Sequence, residues 1–191
     1  MVNKMTKIRS YRETDKYNVQ RICLQTVNDD VQFEGLNREN ASFFLTVYCN
    51  YYIEKEPQNC FVTVNENDEA VGYIICAENV KKYTKTFMKE YFPNLEKKRK
   101  FMVLGEVLAY HLFASRYPAH MHIDILKEYR GGGTGTKMLE SLTQHLKSKE
   151  ISGVQLCVSE ANTRGIKFYE RFGFNTLLKF SVGRAMGYKI K

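Results

Sequence analysis

The 191-residue chain has no tryptophan and only three prolines, and no Gly/Ser-rich linker, internal repeat or low-complexity tract interrupts it. A sequence without such breaks reads as a single domain, 1–191. No stretch approaches 18 consecutive apolar residues, which excludes a membrane-spanning helix. The opening segment MVNKMTKIRSYRETDKYN has no apolar core, so no signal peptide is expected. The five cysteines, Cys23, Cys49, Cys60, Cys76 and Cys157, form no CxxC pair, and four of them sit inside apolar runs. That pattern argues against a disulfide framework or a zinc site. It fits buried thiols in a reducing compartment, so a cytoplasmic protein without a metal is expected.

Hydrophobic residues make up 43%, with 13 Tyr and 12 Phe, enough for a packed core and too many for a disordered chain. Lys plus Arg number 29 against 21 Asp plus Glu, a net charge of +8. This balance favours an anionic partner: nucleic acid, a membrane surface or a polyphosphate cofactor. Charge does not choose among them.

Along the chain, residues 6–11 alternate as a strand does. Asp15 is placed to cap a helix with Val19, Ile22, Cys23 and Val27 on its apolar face. A second helix is expected from about Asn40, with Phe43, Phe44, Val47, Tyr48 and Tyr51 at helical spacing. Residues 60–64 and 70–77 read as a hairpin joined by NENDE. Residues 79–116, rich in Lys and aromatics and broken by Pro93, read as a helical insert. A buried strand follows at 120–126, then the turn KEYRGGGTG and an amphipathic helix with Met138, Leu139, Leu142 and Leu146 on one face. A strand at 153–159, a helix at 162–172, a strand at 174–182 and a last strand in the tail MGYKI complete the order. A strand–helix–strand crossover beside hairpins gives an α+β fold of three layers, α/β/α, with a mixed, mostly antiparallel sheet of six to seven strands.

The strongest chemical signal is that glycine turn. Gly131, Gly132, Gly133 and Gly135 lie between a strand and a helix. Glycine lets a backbone approach a ligand closely, and a helix start offers unpaired N–H groups and the positive end of a dipole. Together they suit a phosphate. Walker A fails, because Gly135 is followed by Thr136, Lys137 and Met138. The dinucleotide pattern GxGxxG also fails, since the third glycine would fall at Thr136 or Met138.

Arg130 through Gly135, RGGGTG, resembles the [Q/R]-x-x-G-x-[G/A] motif of the GNAT N-acetyltransferase family. Downstream, NTRGIKFYERFGF (162–174) is similar to the family's N-x(6)-Y…GF helix. The resemblance covers about 118–190 closely and 6–78 in element order, whereas 79–116 is untypical of short members. The segments PAHMHIDIL and VSEANTRGIKFYERFGF look closest to bacterial members akin to the acetyltransferase-like domain of O-GlcNAc hydrolases.

The resemblance implies the acyl-CoA N-acyltransferase fold and transfer of acetyl from acetyl-CoA to the amine of a small acceptor. The family splays two strands apart, so the backbone of Ile123, Asp124 and Ile125 would hold the pantetheine arm and thioester. Arg130 and Gly131, Gly132, Gly133, Thr134, Gly135 and Thr136 would cradle the pyrophosphate. Asn162 would meet the pantetheine, although its position equally suits a helix N-cap. Tyr169 would protonate the leaving thiolate, or else pack against Ile166 and Phe172. Many members carry Glu five residues before that Asn, where this chain has Cys157. His120, His122 and Asp124 alternate on one strand face, which suits an acceptor cleft with Asp124 as base or a structural His–Asp hydrogen bond. Glu78 and Glu106 are remoter candidates. Thr134 and Thr136 stand where members often have an aliphatic and a basic residue, and Lys137 partly replaces that charge.

Tyr48, Tyr51, Tyr52 and Tyr83 are expected to line the acceptor cleft. Two other functions compete: a CoA-binding or scaffold module without catalysis, motivated by Cys157, and a nucleic-acid binder, motivated by charge and the run EKKRK (96–100). No nucleic-acid motif is present, so that run reads as a solvated helix face. The chain is expected to be a monomer or homodimer, with no membrane or nucleic-acid partner.

Overall fold

The computed structural model describes residues 6–31 and 38–190, with only the backbone for 28–31. Seven strands form one sheet in the order β1 (Lys7–Ser10), β2 (Phe61–Val64), β3 (Ala70–Ala77), β4 (Ala119–Ile125), β5 (Gly153–Ser159), β7 (Gly183–Lys189), β6 (Asn175–Phe180). The pairs β1/β2, β2/β3, β5/β7 and β6/β7 are antiparallel, and β4/β5 is parallel. The mixed sheet flanked by helices is the one expected. The helices are α1 (Lys16–Val31), α2 (Arg38–Leu45), α3 (Tyr51–Lys55), α4 (Val80–Glu90), α5 (Lys97–Phe113), α6 (Thr134–Ser148) and α7 (Thr163–Phe172). The chain folds as two compact units, Met1–Cys76 with His122–Leu142, and Ala77–Met121 with Thr143–Lys191.

In the first unit, β3 reads AVGYIICA and is buried along its whole length, as a strand covered on both faces must be. Gly72 lets the end of β4 come close: a Cβ there would sit 2.7 Å from Thr63 Cγ2 and 3.0 Å from both Asp124 O and Ile125 Cγ1. The Leu126 N–H donates to Val71 O at 3.0 Å, fixing the exit of β4 on β3. The expected second helix is present from Arg38 to Lys55, but its hydrogen bonding is not uniform. After α2 the backbone widens into a π-turn over Thr46–Asn50 before α3. Side-chain spacing cannot register such a change of hydrogen bonding.

Asp15 does not act as the expected cap of α1. It lies in a 3-10 turn, where its carboxylate accepts from the Arg12 N–H at 2.8 Å and takes both Arg9 nitrogens at 2.7 and 2.9 Å. Val19, Ile22 and Cys23 of α1 are buried as expected, and Val27 is half-buried.

In the second unit, Pro93 falls in a 3-10 turn (Phe92–Asn94) that separates α4 from α5. The Gln155 amide donates to Tyr110 O at 3.0 Å and Tyr117 O at 2.6 Å, tying the end of α5 to β5. β5 and β7 pair over their full length, from Gly153–Lys189 to Ser159–Gly183. The parallel register of β4 with β5 joins Ala119 to Val154 and His120 to Gln155.

Candidate active site

The glycine turn is built by its backbone. β4 ends at Ile125, and the Arg130 Nε donates back to Ile125 O at 2.6 Å, closing the loop between strand and helix. Gly131, Gly132 and Gly133 then have φ of 108°, 56° and 80°. Three successive left-handed residues are a conformation that side chains with a Cβ resist. A Cβ at Gly131 or Gly133 would meet nothing within 4 Å, so conformation rather than crowding requires glycine, and the turn faces open space. α6 starts at Thr134, whose N–H donates to Gly131 O at 3.2 Å, while the Lys137 N–H donates to Gly133 O at 3.0 Å. The N–H groups of Gly135 and Thr136 lie in the first turn, where a helix has no internal acceptors. Thr134 is buried, so it packs where an aliphatic residue would; Thr136 and Lys137 are exposed.

The end of β4 carries a polar cluster in the first unit. His122, Ile123, Asp124 and Ile125 are all half-buried. His122 Nε2 hydrogen-bonds the Tyr52 hydroxyl at 2.9 Å, and its ring meets those of Tyr48 and Tyr52 edge-on at 5.3 and 5.1 Å. Burial lowers the His122 pKa to about 4, so the imidazole is neutral at pH 7. Asp124 Oδ2 accepts from the Tyr73 hydroxyl at 2.5 Å. Burial, and after it the Asp124 charge, pushes the Tyr73 pKa well up, so the phenol stays protonated and donates.

Other expected cleft residues are core. Tyr51 is fully buried and its hydroxyl donates to Glu56 Oε1 at 2.8 Å. Tyr83 is buried against Phe87 and His120. His120 lies fully buried between the rings of Tyr83 and Tyr110, at 4.3 and 4.5 Å, which makes it a packing residue. Sequence reasoning missed Tyr73, which sits in an unbroken apolar strand and looks like core until its hydroxyl partner is seen.

In the second unit, Asn162 Oδ1 accepts from the Gly165 N–H at 2.8 Å and caps α7. A Cβ at Gly165 would fall 2.8 Å from the Asn162 amide, so glycine makes room for the cap. Tyr169 is half-buried, and its ring lies beside those of Phe168 and Phe174 at 5.3 and 5.5 Å. Its carbonyl accepts from the Gly173 and Phe174 N–H groups at 3.1 and 2.9 Å, and Gly173 (φ 113°) is the left-handed stop of the helix. Burial, followed by the Glu106 charge, pushes the Cys157 thiol up, so it is no base. Glu106 itself accepts from the Tyr110 hydroxyl at 2.8 Å, and Glu78 pairs with Lys149. Among the described residues, no group of three or more His, Cys, Asp or Glu is placed to hold a metal.

Strand, left-handed glycine turn and helix thus recur in the order that the sequence motif specifies. The acetyltransferase (GNAT) family profile matches residues 24–174. The chain belongs to this family. It is 25% identical over 124 residues to N-alpha-acetyltransferase 30 of Schizosaccharomyces pombe, covering 65% of this chain and 62% of that protein. The alignment therefore spans less than two thirds of that relative's length. Two solved structures share the fold. The crystal structure of SsHAT superposes with a TM-score of 0.84 at 21% identity, covering 97% of this chain and 98% of that one. The PaiA N-acetyltransferase of Thermoplasma acidophilum, solved in complex with coenzyme A, gives 0.63 at 14% identity over 97% and 99% of the two chains.

Proposed function

We propose that the chain transfers acetyl from acetyl-CoA to the primary amine of a small acceptor, by direct attack within a ternary complex. The observation that carries this reading is the turn Arg130–Thr136: three left-handed glycines open to solvent, closed by Arg130 onto Ile125 O and followed by a helix start. Such a turn suits a pyrophosphate, and a cofactor with three phosphates uses part of the +8 charge. Members of the family use acetyl-CoA, and the PaiA structure holds coenzyme A.

Residue roles follow the motif. Backbone groups of Ile123, Asp124 and Ile125 take the pantetheine amides and polarise the thioester carbonyl. Asn162 keeps one amide edge for the cofactor while the other caps α7. Holding amine and thioester together removes much of the entropic barrier. Tyr169 donates its proton to the leaving sulfur; a phenol of pKa about 10 can protonate a thiolate of conjugate pKa about 8.5 in a dry site. Asp124, oriented by Tyr73, accepts the proton of the attacking amine. A likeness to the acetyltransferase-like domain of O-GlcNAc hydrolases rests on the two quoted segments alone. Location, partners and oligomeric state follow the sequence reading: a cytoplasmic monomer or homodimer that acts on a small amine, without a metal, nucleic acid or membrane.

The test is acetyl-CoA with a panel of amino sugars, amino acids, polyamines, aminoglycosides and short peptides, with free CoA followed by chromatography. Acceptor-dependent release is expected. Saturable CoA binding without release from any acceptor would favour the non-catalytic module.

A further inference from the structure

Helix α5 is apolar on two opposite faces. Val103, Val107 and Tyr110 are buried in the second unit. On the other side Phe101 is 86% exposed, Leu108 61% and Leu112 59%, with Leu104 and Gly105 completing one stripe down the helix. A helix that is apolar all round is normally covered all round. The neighbouring α4 shows what a solvated face in this insert looks like, since Lys81, Lys82 and Lys89 are exposed along it.

We propose that the α5 stripe is the interface of a two-fold homodimer, in which α5 packs antiparallel on α5 of a second copy. Three observations choose this occupant. The first is area. The stripe with Met102 offers on the order of 500 Å² per copy, the size of a functional surface patch, and two copies reach the roughly 1,000 Å² at which a specific interface begins.

The second is shape. Gly105 is exposed in the middle of the stripe, and a Cβ there would meet nothing within 4 Å. In an antiparallel pair centred between Leu104 and Gly105, Leu104 fills the gap over the partner's Gly105, and Phe101 meets the partner's Leu108. The third is charge. The basic run Lys97, Lys98, Arg99 and Lys100 is confined to the first turn, and the stripe residues Phe101, Leu104, Gly105, Leu108 and Leu112 carry no charge. An antiparallel pair sets uncharged middle on uncharged middle. It also separates the two basic runs to opposite ends, each near the negative end of the other helix dipole. A lipid surface would favour cations along the whole flank of the stripe, whereas α5 gathers its four at one end.

The test is sedimentation velocity on the full chain from about 1 to 100 µM, with Leu108→Glu and Leu104→Lys alongside and thermal melting of each as a fold check. The expected result is a species of twice 22.3 kDa that weakens at least tenfold in both variants and persists in 0.5 M salt. A wild type that stays monomeric at 100 µM overturns the proposal. So does a dimer that both variants leave intact, which would use another surface. Vesicle flotation with phosphatidylserine gives the third outcome: a monomer that floats, and no longer does so as Leu108→Glu, assigns the stripe to a lipid surface instead.

Discussion

The Tyr73 hydroxyl reaches Asp124 Oδ2 across 2.5 Å, from the middle of one buried strand to the end of the next. Gly72 beside it allows that approach, and the protonated phenol fixes the direction of the carboxylate. The candidate base is therefore held by a residue with no polar neighbour in sequence.

This pair gives the first prediction. Tyr73→Phe removes the donor while keeping the ring, so Asp124 is less well aimed. Turnover is expected to fall roughly tenfold, and Asp124→Asn to lower it by about 10²-fold, in the range of lost general-base catalysis. CoA affinity should stay unchanged in Tyr73→Phe. Steady-state kinetics with a titration of CoA check both; full turnover in Asp124→Asn would remove it as base.

Tyr169→Phe keeps the ring against Phe168 and Phe174 but cannot donate a proton. We expect kcat to fall about 10²-fold with CoA binding intact, as for the loss of a general acid. A thermal melt separates this from unfolding. Unchanged kcat would return Tyr169 to a packing role.

His122 makes stability depend on pH. Burial lowers its pKa from 6.5 to about 4, so the fold prefers the neutral ring. The contribution is complete above pH about 6.5 and is lost as pH falls through about 4, about 3 kcal/mol in all. Urea unfolding at several pH values should show this slope in wild type and a flatter profile in His122→Gln. Equal slopes would place the titration elsewhere.

Arg9→Ala should cost about 3 kcal/mol, because it leaves the buried Asp15 carboxylate without its bidentate partner. Urea denaturation measures this directly. A loss under 1 kcal/mol would show that the pair contributes no more than a surface ion pair.

Much of the fold was legible because its signals are local. The hairpin around NENDE, the glycine turn and the capped helix at Asn162 each depend on residues a few positions apart. The turn's left-handed glycines match the motif, and Pro93 marks the break between α4 and α5. What escaped is long-range or depends on backbone hydrogen bonding. Asp15 looked like a cap because its partner Arg9 cannot be inferred from spacing. The π-turn at Thr46–Asn50 keeps helical spacing while changing its bonds. Tyr83 and His120 became core because they meet each other, and the sequence separates them by 37 positions. In α5 the apolar residues occur on every side, so periodicity could not tell the buried face from the exposed one.

In the proposed function the turn from Arg130 to Thr136 holds the pyrophosphate of acetyl-CoA. Isothermal titration of CoA into wild type and Gly133→Val tests it most directly. A β-branched residue cannot easily hold φ of 80°, although its side chain would have open space. One saturable site is expected in wild type and at least tenfold weaker binding in the variant, with thermal melting showing a folded protein. Wild type without saturable CoA binding, or a variant that binds as tightly, would contradict it.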